Sequence, residues 1–431
     1  MKITADRLAE LLRSELGTDA IEFDPDSLAH HAIDGINPAL ICAPATPDQL
    51  AAALRICNET DAAVAPWGGG TAMHVGNAPR SYTIALATRN LHALIEHDHA
   101  NLTATVQSGI TLAALQTALA PQNQYAALDA PFPERATIGG IVAANLNGPR
   151  RGFHGSVRDL VIGIKVALPT GEQIKAGGKV VKNVAGYDMC KLFTGSLGTL
   201  GIITEVTLRM AALAEQSTML SLRSSLGAAL EFIQILAHSP LLPSAILLSR
   251  GFSSNTDIDD WQITILSEGF VESVERQITD LNKIAAESSI AGEVLNGAAR
   301  DQRWQEIRDL PLRPDSCVFR LTLPRAALPA ILEIIDRWNA GEITPEILAD
   351  VAWGVVWIVI PRGNFTDEQF AQLSALAREQ HGHAIMFASG EIKSGTDVWG
   401  PSPATLPLMR EIKRQFDPQG IMNPGRFLGG L

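Results

Sequence analysis

Glycine clusters between residues 136 and 209 constrain the fold of this chain more than any other feature. Gly139 and Gly140 begin a run of small residues, Gly148 follows shortly after, and glycines recur at every third position over 195–201. A glycine beside an apolar run lets the backbone approach a ligand with no Cβ in the way, and the N–H groups of an opening helix attract an anion. The clusters therefore predict a site for a large phosphorylated cofactor, with simple turns as the competing explanation.

A second glycine cluster lies earlier in the chain. The brief strand signal Val64–Pro66 leads directly into Trp67-Gly68-Gly69-Gly70-Thr71. Three consecutive glycines can turn their N–H groups toward phosphate oxygens, and Thr71 adds a hydroxyl donor. An ordinary flexible hinge explains this loop equally well when it is considered alone.

Length and charge limit the classes of function. With 431 residues the chain exceeds what one hydrophobic core usually covers, so two domains or one large insertion are expected. The net charge of −12 argues against nucleic acid or an anionic membrane as a partner. The amino-terminal residues lack a signal-peptide pattern, and the longest apolar run, Val351–Ile360, predicts a buried strand rather than a membrane span. We expect a cytoplasmic protein that reaches a membrane only peripherally, through partners.

Metal and nucleotide motifs are not evident in the sequence. The four cysteines are far apart, which predicts buried reduced thiols and no metal site. The histidines at 97 and 99 and at 381 and 383 have no convincing carboxylate partners nearby in sequence. The glycine spacing over 195–201 does not match a dinucleotide-binding fingerprint, and no phosphate-binding loop with Lys-Ser or Lys-Thr occurs.

Secondary-structure signals divide the chain near residue 211. Before this point, Ile162–Leu168 and Gln173–Lys175 flank a Pro-Thr-Gly turn and predict a hairpin. After it, strand and helix signals alternate to about residue 387, which suits an α+β domain with helices on one face of an antiparallel sheet. We therefore predict a domain over 1–211, a second over 212–390, and a carboxyl-terminal segment, 391–431, that returns to the first.

Several motifs in a fixed order resemble one flavoprotein family. They are Pro-Trp-Gly-Gly-Gly-Thr, Gln-Ser-Gly at 107–109, Ala-Thr-Ile-Gly-Gly, Lys182–Asp188, Gly-Thr-Leu-Gly-Ile-Ile-Thr, and Asn-Pro-Gly-Arg at 423–426. The set resembles the FAD-binding oxidases of the vanillyl-alcohol oxidase and p-cresol methylhydroxylase type, and within them the FAD-binding E subunits of bacterial glycolate oxidases (glycolate dehydrogenases). The resemblance implies an α+β fold in which a two-subdomain FAD-binding domain is joined by an antiparallel-sheet cap domain.

The same resemblance implies which residues hold FAD. Gly68 to Thr71 would surround the pyrophosphate, and Asn423 would approach from the returning tail. Some relatives attach flavin covalently to a histidine where this chain has Thr71, so we expect non-covalent FAD. The full set of expected cofactor contacts is Trp67, Gly68, Gly69, Gly70, Thr71, Gly109, Thr137, Ile138, Gly139, Gly140, Ala143, Asn145, Gly148, Ile203 and Asn423.

The resemblance also implies an activity, with one departure. Relatives that oxidise 2-hydroxy acids have a histidine-rich segment in the cap, whereas this chain has only His381-Gly382-His383 there. We therefore expect an FAD subunit of a glycolate-oxidising complex, with oxidation at a sister flavin subunit and an iron–sulfur subunit as further partner. Two alternatives stay open: a stand-alone oxidase that holds its substrate carboxylate through Arg320, and an assembly subunit without redox turnover. A salt-bridged structural role for Arg320 is the competing explanation for that residue.

Overall fold

The structure, a computed structural model, describes residues 3–178, 186–251, 261–313, 315–337, 344–363, 366–388, 393 and 397–431. Its contacts divide the chain into two compact units. The first unit comprises Met1–Asn147, Gly155–Ala212 and Lys393–Leu431, and the second comprises Gly148–His154 and Leu213–Ile392. The predicted first domain, 1–211, included residues 148–154, which the contacts assign to the second unit. Residues 182–185 of the Lys182–Asp188 motif lie outside the described residues.

The strands of the described residues are short in the first unit and longer in the second. In chain order they are β1 (Ile21–Glu22), β2 (Leu40–Cys42), β3 (Val64–Trp67), β4 (Ile84–Ala87), β5 (Leu94–Asp98), β6 (Thr103–Gln107), β7 (Gln124–Tyr125), β8 (Val161–Ala167), β9 (Gln173–Gly177), β10 (Ile202–Arg209), β11 (Ala211–Ala212), β12 (Gln216–Ser224), β13 (Ala245–Arg250), β14 (Trp261–Gly269), β15 (Ala291–Leu295), β16 (Ser316–Thr322), β17 (Glu346–Asp350), β18 (Val355–Pro361) and β19 (His383–Ala388).

The α-helices follow most of the amphipathic segments of the sequence. They are α1 (Ala5–Leu16), α2 (Pro25–His30), α3 (Pro47–Glu59), α4 (Leu112–Leu119), α5 (Ile138–Ala144), α6 (Arg151–His154), α7 (Val157–Leu160), α8 (Met189–Phe193), α9 (Leu226–Ala237), α10 (Val271–Glu287), α11 (Gly297–Asp309), α12 (Leu328–Asp336), α13 (Asp367–Glu379) and α14 (Leu406–Phe416). No helix among the described residues combines the length and apolar character needed to cross a bilayer.

Two larger sheets and the two-stranded antiparallel sheet β11-β7 form the described part of the first unit. One has the order β1-β2-β4-β3, in which β2, β4 and β3 are parallel, and the other is antiparallel with the order β5-β6-β10-β8-β9. The predicted hairpin is confirmed as β8 and β9, with Gly163 opposite Gly177 and Ala167 opposite Gln173. Apolar clusters pack against both larger sheets, and Phe193 and Phe416 meet edge to face at 5.6 Å in the cluster that covers the antiparallel one.

Threonine side chains cap two helices of the first unit. The side chains of Thr46 and Thr111 accept hydrogen bonds from Gln49 N and Ala114 N, each satisfying a backbone donor that the helix leaves free. Asp188 caps α8, because its side chain accepts a hydrogen bond from Lys191 N at 3.3 Å. The four cysteines are buried and form no disulfide.

The second unit is one antiparallel sheet with helices packed against it, as predicted. Its order is β15-β12-β14-β13-β17-β18-β16-β19. Phe319 of β16 lies against Phe370 of α13, which shows the face of the sheet that this helix covers. The predicted strand Val351–Ile360 is wrong over its first part, because 351–354 form a turn between β17 and β18. Gly354 has φ +63° there, and a Cβ would lie 2.2 Å from Leu323 O.

Candidate cofactor-binding site

A cleft in the first unit lies where the carboxyl end of β3, the carboxyl end of β6, helix α5 and the start of β10 converge. It encloses a cavity of about 90 Å³ and opens to solvent at its mouth. Glycines and small residues dominate its wall, so that backbone rather than side chain forms much of the surface. The lining residues are Pro66, Trp67, Gly68, Gly69, Gly70, Thr71, Ala72, Met73, Thr88, Ser108, Thr137, Gly139, Gly140, Ala143, Ala144, Leu197, Gly198, Gly201, Ile202, Ile203, Asn423 and Arg426.

Close backbone packing explains why glycines are required around this cleft. A Cβ on Gly69 would lie 1.7 Å from Arg135 O, and one on Gly68 would lie 2.3 Å from Thr137 Oγ1. On Gly139 it would lie 2.6 Å from Ser108 Cβ. Real Cβ atoms never approach so closely, so the loop after β3, the loop after β6 and α5 adopt these positions only with glycine.

Helix α5 is positioned by its own caps. Thr137 Oγ1 accepts from Gly140 N at 3.3 Å, and Asn145 ends the helix in the left-handed conformation at φ 50°. Gly140 and Ala143 are both half-buried and line the cleft. The helix therefore presents its small residues to the empty space.

The carboxyl-terminal tail closes one side of the cleft. Met422 bridges to Val64 in parallel, and Asn423 N donates to Val64 O at 2.8 Å. Asn423 Nδ2 donates to Leu197 O at 2.6 Å. Its φ of 44° is a left-handed conformation that asparagine tolerates better than most residues. The tail thus extends the parallel sheet and fixes the loop before β10.

The Lys413–Asp417 pair secures this tail. Lys413 Nζ donates to Asp417 Oδ2 at 2.5 Å, to Thr199 O at 2.7 Å and to Met422 O at 2.8 Å. Asp417 also accepts from the backbone N–H groups of Ile421 and Met422. Burial lowers the pKa of Lys413, while Asp417 opposes that shift.

Three cleft-lining residues have buried polar atoms without a hydrogen-bond partner. They are Ser108 Oγ, Asn423 Oδ1, and Nε and Nη1 of Arg426. Arg426 is 2% exposed, and its Nη2 donates to Met73 O and Val75 O. Burial lowers the pKa of Arg426 to about 10, so its guanidinium stays charged at neutral pH. Such unsatisfied donors and acceptors are costly unless a ligand engages them.

A second cavity of about 310 Å³ shares Trp67, Gly69, Gly70 and Met73 with the cleft. Its wall includes His74 and Asp34. Lys393 Nζ pairs with Asp34 at 2.7 Å and donates to His74 O. Burial, followed by the charges of Lys393 and Arg426, lowers the pKa of His74 to about 4, so its imidazole is neutral at pH 7. Charged groups of this second cavity therefore lie near the glycine loop, which lines both cavities.

The structure brings most of the expected cofactor contacts together. Those that line the cleft are Trp67, Gly68, Gly69, Gly70, Thr71, Thr137, Gly139, Gly140, Ala143, Ile203 and Asn423.

Four expected contacts do not line the cleft. A Cβ on Gly109 would lie 1.9 Å from Thr88 O, because the glycine packs directly on that backbone. Ile138 is fully buried in the core. Asn145 caps α5, and Gly148 belongs to the second unit. Contact of these four residues with the cofactor stays a prediction.

Sequence reasoning missed several lining residues, of which Ser108 and Arg426 matter most because of their unpaired polar atoms. Both belong to motifs that carry the family resemblance, Gln-Ser-Gly and Asn-Pro-Gly-Arg, so these motifs could have indicated them as site residues. Among the described residues, no group of three or more His, Cys, Asp or Glu side chains is arranged to hold a metal ion.

Comparison with known proteins identifies the family. Residues 38–177 match the model of an FAD binding domain, and residues 400–427 match the C-terminal domain of FAD linked oxidases. Over 352 residues the chain is 31% identical to glycolate oxidase subunit GlcE of Escherichia coli, covering 80% of this chain and 87% of that protein. The chain belongs to the FAD-linked oxidase family. FAD is thus its cofactor and oxidation–reduction its class of reaction, which confirms both predictions.

Other comparisons extend across nearly the whole FAD-linked oxidase chain. It is 32% identical to a D-lactate dehydrogenase of Archaeoglobus fulgidus across an alignment that covers 99% of both proteins. A structure of p-cresol methylhydroxylase with substrate bound superposes with a TM-score of 0.70 at 16% identity, covering 98% of this chain and 96% of that one. The predicted p-cresol methylhydroxylase-type fold is confirmed.

The cleft fits the cofactor of an FAD-linked oxidase. The glycine loop over 68–70 leaves backbone N–H groups free of side-chain cover, which suits a pyrophosphate. The unpaired atoms of Ser108, Asn423 and Arg426 supply donors and acceptors for the polar groups of a dinucleotide.

Proposed function

We propose that this chain is the FAD-binding subunit of a multi-subunit enzyme that oxidises glycolate, a 2-hydroxy acid, to glyoxylate. The observation that supports this function most directly is the match to a glycolate oxidase subunit along 87% of that protein's length. The glycine-lined cleft supplies the flavin site that such a subunit needs.

In this proposal the cleft-lining residues hold FAD without a covalent bond. The backbone of Gly68, Gly69 and Gly70 and the Thr71 hydroxyl bind the pyrophosphate, while α5 and Asn423 orient the remainder. When bound, FAD would be the acceptor of a hydride from the alcohol carbon of a 2-hydroxy acid. Arg426 keeps a buried positive charge at the cleft, which favours an anionic partner there.

The proposed partners are a sister FAD-binding subunit and an iron–sulfur subunit. The short His381-Gly382-His383 segment, without the acid and second histidine cluster of catalytic relatives, supports oxidation of substrate at the sister subunit. We further propose that the chain is cytoplasmic and contacts a membrane only peripherally, through this complex.

A second candidate is a stand-alone FAD-dependent dehydrogenase for a 2-hydroxy acid. Two observations favour it: the end-to-end match to a D-lactate dehydrogenase, and the absence of any described ion pair to Arg320. Because no described residue forms an ion pair with Arg320, a structural salt bridge does not explain this arginine within the described part of the chain.

The anaerobic visible spectrum of the FAD-loaded chain separates the two candidates. For the complex, we expect a flavin band that glycolate bleaches only after the sister subunit is added. Bleaching of the chain alone by glycolate or D-lactate would favour the stand-alone enzyme. Failure to bind FAD at all would defeat both. Release of free flavin on denaturation tests the non-covalent attachment.

A matched pair of variants tests the location of the flavin. Ala143→Leu adds bulk to the cleft wall, whereas Ala114→Leu adds the same bulk to the exposed surface of α4. Overpacking costs about 1–3 kcal/mol, so FAD affinity should fall at least about fivefold in the first variant and stay unchanged in the second. Equal affinities in a fluorescence titration would contradict the assignment of the cleft. Gly69 is less informative, since any side chain there displaces the Arg135 backbone.

A further inference from the structure

The loop over residues 71–77 follows the glycine loop directly and forms neither helix nor strand. Its first three residues line the cleft, whereas residues 74–77 lie outside the lining. One turn closes within it, where Val75 N donates to Ala72 O at 3.0 Å. The position of this part of the cleft wall therefore depends on what the second half of the 71–77 loop contacts.

Two buried cations of the carboxyl-terminal tail hold three successive carbonyl groups of this loop. Arg426 Nη2 donates to Met73 O at 2.6 Å and to Val75 O. Between these two contacts, Lys393 Nζ donates to His74 O. The Lys393 side chain and the whole of Arg426 are each only 2% exposed. Because hydrogen bonds from charged donors are stronger than neutral ones, these cations of the tail set the backbone path of the loop.

The same tail holds the end of the 71–77 loop. Asn77 N donates to Arg426 O at 2.9 Å, and Asn77 Nδ2 donates to Asp397 Oδ1 at 3.1 Å. Val398 N in turn donates to Asn77 Oδ1 at 2.9 Å. A Cβ on Gly76 would lie 2.7 Å from Arg426 O, so the two backbones are in direct contact there. The second half of the loop is thus attached to the tail by side chains and by backbone.

Asp34 supplies the counter-charge for these buried cations. Its side chain is 5% exposed, and its carboxylate pairs with Lys393 Nζ at 2.7 Å. Burial lowers the pKa of Lys393 and of Arg426, and the negative charge of Asp34 opposes both shifts. A buried ion pair adds little stability over an apolar pair, because both charges lose their hydration. What this pair provides instead is an ammonium group at a fixed place beside His74 O.

Lys393 is not among the residues that line the cleft, whereas Arg426 is. An effect of Lys393 on the cofactor must therefore pass through the loop. We propose that Lys393 is a positioning residue for FAD, which holds the 71–77 loop through His74 O so that its first three residues keep the shape of the cleft wall. The inference rests on the proposed place of FAD in the cleft. FAD and the contact of the loop with the tail then stabilise each other, since coupling between two sites acts equally in both directions.

The test separates positioning from stability by removing the buried pair in two steps from the full chain. Lys393→Met removes the donor and leaves the Asp34 carboxylate buried and unpaired, so the urea midpoint measured without FAD should fall. We expect FAD affinity to fall by at least about tenfold in the same variant, as measured by fluorescence titration. Adding Asp34→Asn removes the unpaired charge, so the midpoint should return close to that of the unaltered chain. FAD affinity should stay at least about tenfold lower, because His74 O still lacks its donor.

The variant Glu22→Gln with Arg89→Met is the matched control. These two residues form an ion pair at 2.9 Å in the same unit, and neither is among the residues that line the cleft. Removing both of their charges should leave FAD affinity unchanged.

Amide hydrogen exchange of the unaltered chain gives an answer that needs no variant. FAD should slow exchange over residues 74–77, although they lie outside the cleft lining, and the double variant should lose this protection while it keeps that of α5. Unchanged exchange over 74–77 in the unaltered chain overturns the proposal. So does a double variant that binds FAD as tightly as the unaltered chain, since the pair would then only stabilise the fold.

These outcomes are distinct from failure of the proposed function. An unaltered chain that binds no FAD, or whose FAD affinity does not respond to Ala143→Leu, contradicts the placement of the cofactor. A chain that binds FAD in the cleft and does not respond to the loss of Lys393 and Asp34 contradicts the positioning role alone.

Discussion

At the scale of single residues, the charge of Arg320 affects the pKa of a neighbouring histidine, His383. Burial lowers the pKa of His383 from its ordinary value, and the positive charge of Arg320 lowers it further. A cation nearby disfavours the protonated imidazole, so removing that cation raises the histidine pKa. We predict that Arg320→Met moves the His383 pKa upward while the burial effect remains. An imidazole NMR titration measures this shift, and Arg223→Met should leave the same resonance unchanged.

The Lys413–Asp417 pair permits a stability prediction at the same scale. The Asp417 side chain is 0% exposed and that of Lys413 only 12%. Lys413→Met leaves a buried carboxylate without its cation, which costs about 3–5 kcal/mol in free energy of unfolding. Arg414→Met on the same helix removes an exposed pair with Glu411 and should cost less than about 1 kcal/mol. Urea unfolding of the two FAD-loaded variants tests the contrast, and equal midpoints would contradict it.

At the scale of elements, the amino-terminal cap of α5 connects helix stability to the cofactor. Thr137 Oγ1 accepts from Gly140 N and also lies beside Gly68, so one hydroxyl positions both the helix and the loop after β3. Thr137→Val keeps the shape but removes the acceptor, at a cost of about 1 kcal/mol. We predict a FAD affinity about fivefold lower in Thr137→Val and nearly unchanged in Thr137→Ser. Equal flavin affinities of the two variants would show that the hydroxyl is not needed.

Elements with local signals were predictable from sequence, and those without were not. Helices α3 and α4 begin at threonine caps, and β8 and β9 flank a turn, so their positions depend on neighbouring residues alone. Helix α11 was missed because only Arg303, Trp304 and Ile307 are buried along it, which leaves no regular apolar stripe. The apolar run over 351–360 predicted one strand and gave no sign of the turn at its start, since Val351 and Ala352 are apolar but lie outside the strands.

At the scale of the whole molecule, the candidate site depends on contacts that sequence spacing does not specify. Asn423 reaches Leu197 across 226 positions of chain, and Arg426 reaches Met73 across 353. The family motifs indicated the tail, but only the fold shows that Arg426 lines the cleft with unpaired nitrogens. Conversely, Gly148 is next to the glycine clusters in sequence and belongs to the second unit. Which residues line the cleft is therefore decided by long-range contacts in the fold, and residue type alone does not reveal it.

This long-range assembly gives a prediction for the whole chain. FAD should slow amide hydrogen exchange together in four separate segments, 67–72, 137–144, 197–203 and 421–426, because the cleft joins them. At 100 times its Kd a ligand adds about 2.7 kcal/mol, or about 100-fold slower exchange where opening requires its release. Helices α9 and α10 of the second unit are the comparison and should change little. Exchange mass spectrometry with and without FAD measures this, and protection of 67–72 without 421–426 would show that the tail is not part of the cofactor site.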